Sequence, residues 1–381
     1  MEEQIQFLRN MIKSRSLSGE EGNVADLIKK KMKELDYDSV TTDEFGNVLG
    51  LIGEGSPQLM LEAHMDTVEA GDEKNWELEP YSGDLRNGWV YGRGAVDMKG
   101  PLSSMIFGAA NTKRRADEYA GSVAVACVVH EETMEGAAIE GLISKETKPD
   151  LVVLGEPSGL DLCIGHRGRA VVNLKVEGKS AHASMPHLGR NAVLDLINVI
   201  DSLRNKELGT DRKLGRETMA LVDISCSPGG GPVVPDRALA QLDFRIGRNT
   251  TEEEVINFVQ ESIENLPEIT GEAEIPEMTL QCYTGKDLTY PFFFPAWYYH
   301  EENLIKKAKN AVDFIPDTNV RTWDFSTDGI YTAGHANIPT IGFGPGDETL
   351  AHQANERISI EELELATKGY EKLIGRFLKS V

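Results

Sequence analysis

Leu59-Met60-Leu61-Glu62-Ala63-His64-Met65-Asp66 is apolar for most of its length and then ends in a histidine and an aspartate. The pattern recurs along the chain. Residues 123–129 lead into His130-Glu131-Glu132, and Leu151-Val152-Val153-Leu154 leads into Gly155-Glu156-Pro157. Gly88-Trp89-Val90-Tyr91 is followed shortly by Asp97, and Ile338-Pro339-Thr340-Ile341-Gly342-Phe343 runs through a Gly/Pro turn toward His352. Near-continuous apolar runs predict strands of a sheet buried on both faces. Open α/β sheets bind ligands where their strands end in loops. Five such groups brought to one sheet edge predict a metal site.

The rest of the chain supplies a frame for that sheet. Residues 2–35 carry helical periodicity, broken by a turn at Ser18-Gly19-Glu20-Glu21. Strand and helix patterns alternate as far as Glu156, which predicts parallel βαβ units. Leu102, Met105, Ile106 and Ala109 have helical spacing and place Asp97 just before a helix. After Gly168 the pattern changes. Strands are expected over 170–176, 220–225 and 238–246, helices over 191–203 and 252–263, and a last strand near 278–283. That order, β-α-β-β-α-β, is the ferredoxin-like unit. The expected architecture is an α/β domain with a largely parallel sheet, built from residues 1–165 and 287–381 and interrupted by a ferredoxin-like α+β domain over 166–286.

Composition narrows the function classes. The formal charge of −23 over 381 residues argues against nucleic acid and anionic membranes, which both need a basic face. No apolar segment is long enough to span a bilayer, and the acidic start Met1-Glu2-Glu3-Gln4 lacks the features of a signal peptide, so a cytoplasmic protein is expected. Cys127, Cys163, Cys226 and Cys282 form no CxxC pair and are expected to be buried and reduced.

Imidazoles and carboxylates together suit zinc or a similar divalent ion, with cobalt and manganese also compatible. His64, Asp97, Glu132, Glu156 and His352 are the candidate ligands, and Asp97 is placed to bridge two ions. Asp66, two residues beyond His64, can accept the other ring N–H of that histidine. Neighbours in a chain point in different directions. One of Glu131 and Glu132 is therefore expected to bind metal while the other acts as general base on a water held there. His130 is expected to be structural, and His166, His187, His300 and His335 to be surface or loop residues. Arg245, in Asp243-Phe244-Arg245, can grip a substrate carboxylate bidentately or pair with Asp243.

His64-Met65-Asp66-Thr67-Val68, Gly92-Arg93-Gly94-Ala95-Val96-Asp97-Met98-Lys99-Gly100, His130-Glu131-Glu132, Gly155-Glu156-Pro157 and Ala351-His352-Gln353-Ala354-Asn355-Glu356 occur in that order over most of the chain. Together they resemble the two-zinc peptidases and deacylases that include acetylornithine deacetylase, succinyl-diaminopimelate desuccinylase, aminoacylase and carboxypeptidase G. The resemblance implies that His64 and Glu156 hold one zinc and Glu132 and His352 the other, with Asp97 bridging. It further implies Glu131 as general base, Asp66 as the partner of His64 and a cis peptide at Asp97–Met98.

Gly178-Lys179-Ser180-Ala181-His182-Ala183-Ser184 resembles the family's dimerisation domain. By that resemblance the protein is a homodimer in which His182 stabilises the oxyanion in the partner's active site, the other reading of His182 being a packing role. The chain departs from the pattern at Pro232, where many members carry Asn. Pro291-Phe292-Phe293-Phe294-Pro295-Ala296-Trp297 and Phe325-Ser326-Thr327-Asp328-Gly329 resemble a selenium-metabolism-linked or ureido-hydrolase branch. The implied activity is hydrolysis of a small, carboxylate-bearing N-acyl or N-carbamoyl amino acid. The alternatives are an exopeptidase on short peptides and a non-catalytic zinc-binding protein; an acidic pair such as Glu131-Glu132 speaks against the last.

Overall fold

The structure, a computed structural model, describes residues 1–113 and 119–379. It divides into a larger unit, Met1–His166 with Thr279–Thr289 and Tyr298–Val381, and a smaller one, Arg167–Met278 with Tyr290–Trp297. The segment Thr279–Thr289 joins the larger unit because Tyr283 is anchored there: its hydroxyl donates to the Gly46 carbonyl at 2.9 Å.

The larger unit is built on an eight-stranded mixed sheet. Its strand order is Ser39–Thr42, Val48–Gly53, Ser122–Val128, Gln58–His64, Leu151–Leu154, Thr340–Phe343, Leu162–Cys163, Val320–Arg321. Four central strands, from Ser122–Val128 across to Thr340–Phe343, run parallel. Every residue of Ser122–Val128 is buried, as the unbroken apolar run predicted. The helix Gly100–Lys113 packs against Ile360–Leu378, whose Ser359 cap accepts the Glu362 N–H. That last helix buries Leu363, Ala366, Tyr370, Leu373 and Ile374 at helical spacing. Tyr370 reaches the sheet, donating to the Phe343 carbonyl at 2.6 Å.

One expected strand lies elsewhere. Trp89–Tyr91 pairs with Leu85–Arg86 and Arg357–Ser359 in a separate three-stranded sheet. Asp97 therefore reaches the site from a helical turn rather than from a strand end of the main sheet.

The smaller unit is a four-stranded antiparallel sheet in the order Thr218–Ser227, Arg237–Ile246, Gly168–Glu177, Thr270–Glu274, with the short strand Phe293–Phe294 beside Gly168–Glu177. Helices Ala192–Arg204 and Glu252–Glu264 contribute Leu196, Val199, Val255 and Val259 to its core, against Val172, Leu174, Ala240 and Leu242 of the sheet. This is the ferredoxin-like order. Its fourth strand is Thr270–Glu274, not residues 278–283; Glu277–Gln281 pairs instead with Asp287–Pro291. The sequence Thr-Gly-Glu-Ala-Glu reads as a loop because an edge strand needs little apolar surface. Cys226 also departs from expectation: it is exposed on the edge strand, whereas the other three cysteines are buried.

Asp211 is the best-anchored carboxylate of this unit, taking Arg248 at 2.8 Å and the N–H groups of Lys213 and Leu214. Burial opposes its ionisation, yet these partners hold it well below the ordinary range. A lowered folded value gives stability that is complete above the unfolded carboxylate value of about 3.9 and is lost as pH falls below it. Asp211→Asn is therefore expected to cost roughly 1–3 kcal/mol at pH 7. Urea midpoints at pH 7 and pH 3 check this, since the gap from wild type should shrink at the lower pH.

Candidate active site

Three strands of the central sheet deliver acids or histidines at their C-terminal ends. His64 closes Gln58–His64, Glu131 and Glu132 follow Ser122–Val128, and Glu156 follows Leu151–Leu154. His352 arrives from the loop after Thr340–Phe343, with φ +61. Asp97 sits in the turn Ala95–Lys99, where its own φ/ψ of −120/94 break the helical run. The Asp97–Met98 peptide is cis, as the resemblance implied. Gly94, at φ +83, lets that turn approach Thr67; a Cβ there would lie 2.8 Å from Thr67 Cγ2.

Asp97 is the meeting point. Its Oδ1 lies 3.0 Å from His64 Nε2 and its Oδ2 lies 3.1 Å from His352 Nε2. His352 Nε2 is also 3.0 Å from Glu132 Oε2. On the other side, His64 Nε2 is 3.8 Å from both Glu131 Oε2 and Glu156 Oε1. Two overlapping donor sets result, His64–Glu131–Glu156 and His64–Asp97–Glu132, each with ligand atoms within 4.8 Å of one another.

Asp66 is fully buried, and its geometry refines the expectation. His64 Nδ1 lies 2.9 Å from the Asp66 backbone carbonyl and 3.5 Å from its carboxylate. The carboxylate chiefly organises the acidic pair: it accepts the N–H groups of Glu131 and Glu132, both at 3.2 Å, and the Ser18 hydroxyl at 2.6 Å. Burial resists its ionisation, but His64 and Ser18 keep it below the ordinary range.

The electrostatics describe a site with too many acids. Burial, with the Glu156, Asp328 and Glu135 carboxylates behind it, pushes Glu131 well up. Burial and neighbouring Asp97 raise Glu132 to about 7, and burial with the same crowd raises Glu156. Asp97, by contrast, is held low against burial by His352 and His64. The imidazole of His352 is pushed up to about 10 by Asp97 and Glu132. Four largely buried carboxylates facing the buried His64 and the half-exposed His352 form a donor set that divalent cations fit, because the cations supply the missing positive charge.

His130 is buried and structural in its contacts, with Nδ1 3.1 Å from Thr133 Oγ1 and Nε2 3.2 Å from the Gln281 carbonyl. His166 is not a surface residue: it is fully buried, and its Nε2 accepts the Thr327 N–H at 3.1 Å. Glu356, Glu62 and Asp328 are further buried acids to which the sequence assigns no role. Glu356 is wholly buried and accepts from Arg93 and three backbone N–H groups. Glu62 and Asp328 are buried as well, and Asp328 takes the Gly136 N–H at 2.6 Å. A carboxylate inside the apolar run at Glu62 was the available signal.

Two expected residues belong to the smaller unit. His182 is exposed, and its Nδ1 accepts the Ser184 N–H at 3.1 Å, leaving the ring proton on Nε2. The Pro232 carbonyl accepts the Ala183 N–H at 2.8 Å beside it. Arg245 and Arg169 face each other across paired strands and share Asp243, at 3.0 and 2.8 Å. The Asp243 pairing is thus formed, and one carboxylate serves two guanidinium groups.

Comparison with known proteins decides the family. Residues 60–376 match the model described as Peptidase family M20/M25/M40. The chain belongs to peptidase family M20/M25/M40. It is 33% identical over 362 residues to Uncharacterized protein YgeY of Escherichia coli (strain K12), covering 92% of this chain and 88% of that one. It is 27% identical over 395 residues to a probable succinyl-diaminopimelate desuccinylase of Staphylococcus epidermidis (strain ATCC 12228 / FDA PCI 1200), covering 94% and 93%. Among solved structures, a tripeptidase from Staphylococcus aureus superposes with a TM-score of 0.76 at 20% identity, covering 97% and 96%, which shows a shared fold. As a member of this family the protein is a hydrolytic enzyme acting on C–N bonds. No helix of the described residues is long and apolar enough to cross a membrane.

Proposed function

We propose that this M20 hydrolase uses two divalent cations, zinc in the first place, to hydrolyse the amide-type bond of an N-acyl or N-carbamoyl amino acid. The observation that carries the reading is the position of Asp97, whose two oxygens each meet a different histidine. His64 and Glu156 would hold one cation and Glu132 and His352 the other, with Asp97 between them. Cations bound there supply Lewis acidity, polarising the scissile carbonyl and making water a better nucleophile. Glu131 takes the proton of the attacking water and passes it to the leaving nitrogen. Asp66 holds the backbone of Glu131 and Glu132 so that their side chains diverge.

The acyl preference is supported by the relative that bears a desuccinylase name. Arg245 is the proposed anchor for the substrate carboxylate, since a planar guanidinium can grip a carboxylate bidentately. His182 of a partner subunit would donate its Nε2 proton to the developing oxyanion. The homodimer this requires is supported by the smaller unit's edge strand, where Leu221, Val222 and Ile224 are 46%, 54% and 48% exposed, and by Leu194 and Ile197 on the nearby helix. Sedimentation at micromolar concentration should give a dimer; a monomer would remove His182 from the mechanism.

The test of the activity is a mass-spectrometric screen of N-acetyl, N-succinyl and N-carbamoyl amino acids mixed with dipeptides, before and after cation removal. Cation-dependent loss of an acyl or carbamoyl compound supports the proposal. Loss of dipeptides alone replaces it with an exopeptidase.

A further inference from the structure

The turn that carries Asp97 cannot satisfy its own backbone. Gly94, Val96 and Asp97 stand at the start of the turn, where N–H groups have no helical acceptor before them and need partners from elsewhere. All three find the same one. Glu356 Oε2 accepts from Gly94 N at 3.1 Å and from Arg93 Nη1 at 2.6 Å, while Oε1 accepts from Val96 N at 2.7 Å and Asp97 N at 3.0 Å. Glu356 is completely buried, and the Arg93 guanidinium that balances it is stacked 5.3 Å from the Trp76 ring.

The segment that contains Glu356 holds Asp97 from both ends. Four residues earlier, His352 meets the Asp97 carboxylate at 3.1 Å, whereas Glu356 grips the Asp97 backbone. Between them, Asn355 takes the Glu77 N–H at 2.6 Å and donates to the Asn75 carbonyl at 3.2 Å. Residues 352–356 therefore fasten the Asp97 turn and the segment Asn75–Glu77 to one short stretch of chain.

We propose that Glu356 is a positioning residue of the cation centre, fixing the backbone of Asp97 so that its two carboxylate oxygens face the two histidines. This rests on the two-cation reading above. Glu356 touches neither substrate nor cation; it acts through Asp97, as outer partners of metal ligands do. Either Glu356→Gln, which exchanges one acceptor oxygen for a donor, or Glu356→Asp, which keeps the charge opposite Arg93 but shortens the reach, should loosen Asp97.

The experiment strips the full-length wild type, Glu356→Gln, Glu356→Asp and Asp97→Asn of metal and titrates each with Co2+. It follows the visible absorption of the ion, the bound stoichiometry and the thermal midpoint of the cation-free protein. The expected result is that the Glu356 variants bind one of two cations roughly 10- to 100-fold more weakly, with an altered absorption band. A purely structural role would lower the thermal midpoint and leave the affinity and band of the folded protein unchanged. That outcome overturns the proposal, and the Asp variant delivers it even if the Gln variant does not fold. An Asp97→Asn protein that binds Co2+ as wild type does would overturn the two-cation reading itself.

Discussion

Glu131→Gln is expected to lower kcat/KM by roughly 100- to 10,000-fold while bound cations and thermal stability stay at wild-type levels. Glutamine has the shape of glutamate but cannot take a proton from water. The backbone contact that orients residue 131, its N–H to Asp66, does not depend on the side chain. The variant also separates two roles the geometry allows, because Glu131 belongs to a donor set with His64 and Glu156. If hydrolysis and cation content fall together, Glu131 is a ligand. If hydrolysis alone falls, it is the base. Wild-type turnover would remove it from the mechanism altogether.

Trp323→Ala should cost about 3–5 kcal/mol, the range for deleting a large buried aromatic. Trp323 is 2% exposed, and its indole N–H donates to the Pro157 carbonyl at 2.9 Å, one residue beyond Glu156. The ring fills the space left by Gly342 in a central strand, where a Cβ would stand 1.9 Å from Cη2. Removing the ring opens a cavity against the sheet and frees the loop that presents Glu156, so activity should fall as well. Urea denaturation followed by circular dichroism measures the first effect; a loss under 1 kcal/mol would mean that the neighbours close the gap.

What could be read from the sequence follows from how each feature is encoded. Strands buried on both faces need apolar residues at every position, so Ser122–Val128 and Leu151–Leu154 announce themselves, and the acids at their ends stand out against that background. The smaller unit's strand Arg237–Ile246 alternates buried and half-exposed residues and is equally plain. Thr270–Glu274 lies at an edge, where pairing rather than composition makes it a strand, and the apolar run at Trp89–Tyr91 encodes a strand without encoding which sheet it joins. Glu356 illustrates a different limit. Its partners lie 259 to 263 residues away, so the motif segment that it ends carries no sign of what its carboxylate holds. His166 was misread for the same reason: the Thr327 N–H that satisfies it lies 161 residues distant. Helical and strand periodicity encode which side of an element faces the core, whereas buried polar contacts are fixed only once distant segments meet.

The most direct test of the central claim is to count cations and turnover on the same protein. Wild-type enzyme stripped by chelation should lose hydrolysis of its N-acyl or N-carbamoyl substrate, and should regain it as Zn2+ is added up to two ions per chain. Hydrolysis that persists in the stripped protein, or that Zn2+ does not restore, would contradict the account.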